Sequence, residues 1–310
     1  MVINFVDNLE KDPIIEIRDL YKSYKGFEAV KGISFNVFKG DVFGFLGPNG
    51  AGKSTTIRMM MSLIQPTKGE IKIFGMSLET HRDAILSRVG AIVEKPDLYG
   101  YLSVFDNIRL LSKISGKSAN KDKIMEVLHL VGLEDRAFSK VKTFSHGMKQ
   151  RAGIAQALIH DPDLIILDEP TTGLDPQGMV EIRDLILKLS RDYQKTILLS
   201  SHILNEVELV ANRMVIINKG KVAVEGSVDT LLNSDEMKVT IEVDQPAEAI
   251  RLINQSAFSN YFRNSADKKI ILQMKKTDIP SLTKYLVENH IGITSVIPMR
   301  SLEEYFLNLT

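Results

Sequence analysis

Cysteine is absent from the 310 residues. That excludes disulfides, thiolate zinc sites, iron–sulfur clusters and a cysteine nucleophile, and it suits a reducing compartment. Excess charge of either sign is also missing, because 39 Lys and Arg balance 39 Asp and Glu. A formal charge of zero argues against a strongly basic nucleic-acid binder, and no nucleic-acid partner is expected. Long apolar runs are lacking too. No stretch approaches the roughly 18–20 continuous apolar residues that cross a bilayer, so work at a membrane would need a separate spanning protein. The opening residues Met1 to Pro13 carry Asp7, Glu10 and Asp12 and lack the basic-then-apolar order of a signal peptide. The chain is expected to stay in the cytoplasm.

What is present is ordinary globular material, long enough for two domains at about 150 residues each. Alternation over Ile14–Arg18, and Ile33, Phe35 and Val37 on one face, predict strands. Asp41–Leu46 reads as a buried strand ending at a glycine cluster, with a helix from Lys53 to Met61 behind it. Pro66–Gly69 turns into a strand over Glu70–Phe74. From Lys95 to Asp161 helical patterns prevail. Ser103-Val104-Phe105-Asp106 reads as a capping box for a helix to Ser115, and Asp122–Val131 as a second helix. A third starts near Ser145, with Ile154, Ala155, Leu158 and Ile159 on one stripe.

The β/α alternation then returns. Leu164–Leu167 reads as a strand, Asp175-Pro176 opens a helix to Tyr193, and Thr196–Ser200 is a strand. Ile203–Val210 reads as a helix, and Lys219-Gly220 as a hairpin turn between Met214–Ile217 and Val222–Val224. After Ser234 the order β-α-β-β-α-β predicts a small α+β, ferredoxin-like sandwich, with a last short helix capped at Ser301-Leu302-Glu303-Glu304. Its strands are expected at Val239–Val243, Tyr261–Arg263, Ile270–Gln273 and Thr294–Ile297, its helices at Pro246–Gln255 and Ile279–Asn289. The expected division is 14–233, with a helical subdomain at 95–161, and 234–310.

Two motifs carry chemistry. Gly47-Pro48-Asn49-Gly50-Ala51-Gly52-Lys53-Ser54 fits G-x-x-x-x-G-K-[ST] between a predicted strand and a predicted helix. Glycines let backbone N–H groups turn inward around phosphate oxygens, and the helix N-terminus adds a positive dipole. Lys53 can reach the β- and γ-phosphates, and the Ser54 hydroxyl can ligate Mg²⁺; Thr55 completes the candidate nucleotide-binding set. The second motif, Leu164 to Glu169, is an apolar strand ending in two acids. Asp168 stands where a P-loop nucleotide needs a carboxylate on its Mg²⁺, and Glu169 is placed to polarise an attacking water.

Further motifs resemble those of ATP-binding cassette (ABC) ATPases. Phe144-Ser145-His146-Gly147-Met148-Lys149-Gln150-Arg151 is similar to the family's signature, and Thr171-Thr172-Gly173-Leu174-Asp175 to its D-loop. His202 resembles the switch histidine, and Tyr24 the aromatic that stacks on adenine. The resemblance spans about residues 14 to 230 and implies an α/β P-loop ABC core that binds ATP and Mg²⁺. It also implies that Ser145, His146 and Gly147 face the γ-phosphate held by a second subunit, that Asp175 joins two composite sites, and that His202 senses the γ-phosphate. Three positions depart from the family pattern. His146 stands at a usual glycine and Met148 at a usual glutamine, as happens in some exporter-branch members. Glu94 stands at the Q-loop glutamine, a catalytic position, where its charge would either tighten Mg²⁺ or weaken nucleotide binding.

In this family the segment Pro96 to Ser139 would face a membrane permease, with Tyr99, Tyr101, Leu102 and Phe105 as contact candidates; helix-core packing is the other reading. The ending Ser301 to Phe306 resembles exporter-branch subunits, including those for drug and bacitracin export. The resemblance therefore implies an exporter ATPase subunit, peripheral on the cytoplasmic face of the membrane, dimerising with a second copy. The rivals are a soluble ABC ATPase of translation or DNA maintenance, a non-hydrolysing ATP-gated module and an importer subunit.

Overall fold

All five residues of the strand Val42–Leu46 are buried, and the larger part of the molecule is built around it. The computed structural model describes residues 3–4, 12–116, 118–232, 236–300 and 306. The chain divides into two compact units, Met1–Val228 and Asp229–Thr310.

The first unit runs β1 (Ile3–Asn4), β2 (Pro13–Tyr24), β3 (Phe27–Phe38), β4 (Val42–Leu46), α1 (Lys53–Met60), β5 (Lys68–Ile73), β6 (Met76–Ser77), α2 (Arg82–Leu86) and β7 (Val89–Ile92). It continues with α3 (Val104–Ile114), α4 (Lys121–Leu130), α5 (His146–Leu158), β8 (Leu164–Leu167), α6 (Pro176–Arg191), β9 (Thr196–Ser201), α7 (Leu204–Glu208), β10 (Arg213–Asn218) and β11 (Lys221–Ser227). The main sheet has the order β1-β11-β10-β4-β9-β8-β7. From β10 to β7 neighbours pair in parallel, and β11 turns back antiparallel on β10. Strands β4, β8 and β9 are buried throughout, as strands covered on both faces must be, and β4 and β8 accordingly read as apolar runs without alternation, while β9 buries Thr196, Ser200 and Ser201 as well.

A second, antiparallel sheet, β3-β2-β5-β6, stands apart from the first. Here alternation was the signal: Ile15, Ile17, Ile33, Phe35 and Val37 turn inward. One apolar cluster joins this sheet, α1 and the main sheet. Within it Phe35 stacks on Phe43 with ring centroids 5.6 Å apart, and Ile57, Met59 and Met60 of α1 are fully buried. Each such side chain contributes about 1.5–3 kcal/mol of hydrophobic stabilisation. Helix α1 is thereby held at its apolar flank, leaving its N-terminus at the end of β4.

Helices α3, α4 and α5 lie between β7 and β8 in sequence. Ser103 caps α3 as the capping box predicts, accepting from Asp106 N at 3.0 Å and donating to Asp106 Oδ2 at 2.6 Å. Asn120 caps α4, and Ser145 caps α5 by accepting from Met148 N at 3.2 Å. Helix α5 packs tightly against β7 and the residues after it, with glycine at two of the contacts. A Cβ on Gly90 would fall 2.2 Å from Ala157 O, and one on Gly153 would fall 2.5 Å from Pro96 Cγ.

The second unit begins with α8 (Val228–Leu232), whose first residue still belongs to the first unit. It continues with β12 (Glu236–Val243), α9 (Pro246–Asn254), β13 (Phe262–Ala266), β14 (Lys269–Lys275), α10 (Ile279–Glu288) and β15 (Ile293–Arg300). The antiparallel order β13-β14-β12-β15 is the ferredoxin-like arrangement that the element order predicts. Its core is its own, with Val239, Ile241, Ile253, Leu272 and Leu286 fully buried.

Departures from the sequence reading are local. Helices α2 and α8 were not anticipated, since five residues are too few to show a period. Helix α7 is shorter than Ile203–Val210. Strand β13 starts after Tyr261, which sits in a 3₁₀ turn with its hydroxyl donating to Asp278 at 2.7 Å. The predicted helix at Ser301–Glu304, most of the exporter-like ending and the expected boundary at 233/234 lie outside the described residues. Among the described residues no helix is long and apolar enough to cross a membrane.

Candidate active site

The turn from β4 to α1 begins with Gly47 and ends with Gly52, the N-cap of α1, at φ 108°. A Cβ on Gly52 would lie 2.7 Å from Ala29 O, so both the backbone angle and the space demand glycine there. Helix α1 has no side-chain cap and no acid in its first turn. Thr56 N donates back to Gly52 O at 2.9 Å. The N–H groups of Lys53, Ser54 and Thr55 precede the first intrahelical bond, which makes this helix end an anion cradle. Asn49 and Gly50 form the exposed tip of the loop. Lys53 is 5% exposed; its Nζ donates to Gly47 O at 2.7 Å and lies 3.3 Å from Glu169 Oε1.

The two acids follow β8. Asp168 is 3% exposed and accepts from Ser200 Oγ at 2.5 Å. Glu169 has φ 48°, a left-handed conformation costly for a non-glycine residue. Its N–H donates to the same Ser200 Oγ at 2.9 Å, so one hydroxyl on β9 holds both acids. Glu169 Oε2 accepts from Thr172 Oγ1 at 3.0 Å, and His202 Nδ1 lies 3.2 Å from it, buried and without a hydrogen-bond geometry. Burial pushes the Glu169 pKa up, but the Thr172 hydroxyl, the Lys53 ammonium and His202 together outweigh it and hold the carboxyl below its ordinary value. Next to this group, Glu206 Oε2 of α7 accepts from both Thr171 Oγ1, at 2.6 Å, and Ser201 Oγ, at 3.1 Å. Glu206 thus ties the chain just after Glu169 to the chain just before His202.

Gly47–Thr55, Asp168, Glu169 and His202 therefore form one neighbourhood. The β2–β3 hairpin borders it, since Ala29 O lies against Gly52, and Tyr24 is 45% exposed near the hairpin's tip, with Lys22 Nζ 5.2 Å from its ring centroid. Glu94 follows β7 at φ 68°, exposed, and is paired with Arg58 of α1. A second neighbourhood is formed by the starts of α5 and α6. His146 Nδ1 bonds Gly173 O at 2.9 Å, a Cβ on Gly147 would be 3.9 Å from Gly178 Cα, and Asp175 caps α6 by accepting from Gly178 N at 3.0 Å. Among the described residues these contacts of Ser145, His146 and Gly147 run to their own helix, to the D-loop and to the start of α6, not to the P-loop of the same chain.

Ser200, Thr172 and Glu206 were missed in the sequence. Thr172 carried a faint signal, standing three residues after Glu169. Ser200 and Glu206 become visible only once β8 and β9 are known to be neighbours. The donors also fit a bound Mg²⁺. Among the described residues no group of three or more His, Cys, Asp or Glu side chains is gathered for a metal. Mg²⁺ on a nucleotide needs few protein ligands, one or two carboxylates with phosphates and water completing the shell. Buried Asp168 offers such a carboxylate, and Ser54 in the first turn of α1 offers a neutral hydroxyl oxygen.

A family model described as ABC transporter matches residues 30–172. The uncharacterized ABC transporter ATP-binding protein YhcH of Bacillus subtilis (strain 168) is 41% identical over 299 residues, 96% of each chain. This chain belongs to the ABC transporter ATP-binding proteins. The bacitracin transport ATP-binding protein BcrA of Bacillus licheniformis is 41% identical over 297 residues, covering 96% of this chain and 97% of its own. Among solved structures, the ATP-binding cassette MJ0796, a post-hydrolysis dimer bound to ADP and Pi, matches with a TM-score of 0.63 and 26% identity. That match covers 69% of this chain and 98% of the cassette. As an ABC ATP-binding subunit the protein binds and hydrolyses ATP to power a transporter, and the reading as a translation or DNA-maintenance ATPase is not favoured.

Proposed function

We propose that this subunit drives an exporter by closing, as a homodimer, around two ATP molecules. It would act on a separate integral-membrane permease from the cytoplasmic face. The observation that carries the reading is the split between the two neighbourhoods. The P-loop, Asp168, Glu169 and His202 gather in one, and the start of the signature helix α5 belongs to the other. A single chain then has two half-sites, and a second copy completes both. The relative named for bacitracin transport supports the exporter branch.

In this reading Lys53 turns from the loop carbonyls to the β- and γ-phosphates, which the α1 N-terminus cradles. Ser54 and Asp168 hold Mg²⁺, which when bound neutralises charge on the phosphates. Glu169, kept ionised by its neighbours, accepts a proton from the attacking water. His202, beside Glu169, faces the γ-phosphate, and Tyr24 stacks on the adenine. Glu94 stays with Arg58, which offsets its charge near the phosphates. From the other copy, Ser145, His146 and Gly147 close over the γ-phosphate with the start of α5, while Asp175 joins the two sites.

The test is Ser145→Arg, which crowds that position without touching the chain's own P-loop. ATPase activity is expected to vanish while ATP binding to the monomer persists. Mixing it with Lys53→Ala, under subunit exchange, restores part of the activity, because half the sites in a mixed dimer are intact. Full ATPase activity of Ser145→Arg alone overturns the sandwich.

A further inference from the structure

Two exposed helix starts, those of α5 and α6, are lashed together by side-chain and backbone contacts inside one chain. The His146 ring supplies the first. Its Nδ1 is 2.9 Å from Gly173 O. A carbonyl only accepts, so in this contact Nδ1 carries a proton and donates it. Gly173 has φ 77°, and a Cβ there would lie 3.0 Å from His146 Cε1; a bare α-carbon is what lets the imidazole reach the carbonyl. The second is ordinary van der Waals proximity of the two helix starts, where a Cβ on Gly147 would lie 3.9 Å from Gly178 Cα. The third lies one turn further along α5, where Arg151 Nη2 is 3.5 Å from Glu181 Oε2 of α6. Asp175, capping α6 through Gly178 N, sits within this knot.

Of these contacts the first depends on a residue that stands where the family pattern usually has glycine. A glycine has no group to donate to Gly173 O. We propose that His146 is a positioning residue, a clasp that binds the D-loop to the signature of the same chain. Ser145, Gly147 and Asp175 then meet the partner subunit as one rigid face. The imidazole serves its own chain, whereas the backbone of the same residue remains at the start of α5. This inference rests on the sandwich-dimer reading, because only there do the signature and Asp175 act together across an interface.

The test compares three variants in the full-length protein by steady-state ATPase, ATP binding and thermal melting. His146→Ala removes the donor, and kcat is expected to fall about fivefold, the weight of one hydrogen bond, with ATP affinity of the monomer unchanged. His146→Asn carries an amide N–H close to the position of Nδ1 and is expected to return kcat to within about twofold of the parent, by keeping that one bond. His146→Gln, whose amide reaches further, does not. Wild-type kcat in His146→Ala, or equal losses in His146→Ala and His146→Asn, overturns the clasp. Ser145→Arg run alongside separates the two readings. If it is inactive while His146→Ala is fully active, the clasp alone fails; if it is active, the sandwich itself fails. A measurement that needs no folded variant is the ¹⁵N spectrum of histidine-labelled protein. A His146 ring protonated on Nδ1 supports the clasp, and one protonated on Nε2 alone overturns it.

Discussion

Glu169 concentrates most of the site's electrostatics in one side chain. It touches Lys53, Thr172 and His202, and its own backbone is strained and tied to Ser200. Glu169→Gln keeps the size and loses the proton acceptor. ATP hydrolysis is expected to fall by about 10²-fold or more, with nucleotide binding retained. Undiminished turnover in the purified variant would remove Glu169 from the role of base. The same carboxyl makes a pH-dependent contribution to folding. Its folded pKa is depressed from 4.5, so the stabilisation is present above that value and lost as pH falls through the lower one. Melting curves should therefore give a stability gap between parent and Glu169→Gln that is steady above pH 4.5 and shrinks below it. A gap that widens in acid contradicts the assignment.

Glu225 on β11 shows the opposite sign. Burial raises its pKa, and Arg213 of β10 only partly offsets that. Its neutral form is the one the fold favours, so its contribution is present below 4.5 and lost as pH rises through the raised value. Glu225→Gln removes that loss and leaves Arg213 its bond to Asn36 O and its contact with Asp41. Relative to the parent, the variant should gain stability as pH rises; a relative loss, seen in melts at several pH values, rejects the account. At this scale much was legible in the sequence. The P-loop and the two acids are contiguous motifs whose residue types state their chemistry, and β4 and β8 announce burial by largely apolar runs. What stayed hidden needs pairing. Ser200 reaches Asp168 because Leu167 of β8 is in register with Leu199 of β9, and no spacing within either strand reveals that. The separate antiparallel sheet was hidden for the same reason: β2 pairs with both β3 and β5, and only the alternation within each strand could be read beforehand.

For the molecule as a whole, the two units each close a core from their own residues. Leu272→Ala, at a fully buried site on β14, should cost the second unit about 2–5 kcal/mol. Calorimetry of the full chain should then show one transition lowered and another, belonging to the ATP-binding unit, unmoved. A single transition that shifts as a whole would show that the units unfold together. The contact of α5 with β7 also sets a mechanical ratio. Where Gly90 and Gly153 let backbone and proline touch, α5 has a fulcrum. Ser145 lies eight residues before Gly153, a lever arm of about 12 Å at 1.5 Å per residue. A tilt of about 10° about that fulcrum carries Ser145 through about 2 Å, enough to make or break a hydrogen bond at its far end. Any tilt of α5 about the packed glycines would thus be magnified at Ser145 and carried, through the His146 contact, to the start of α6.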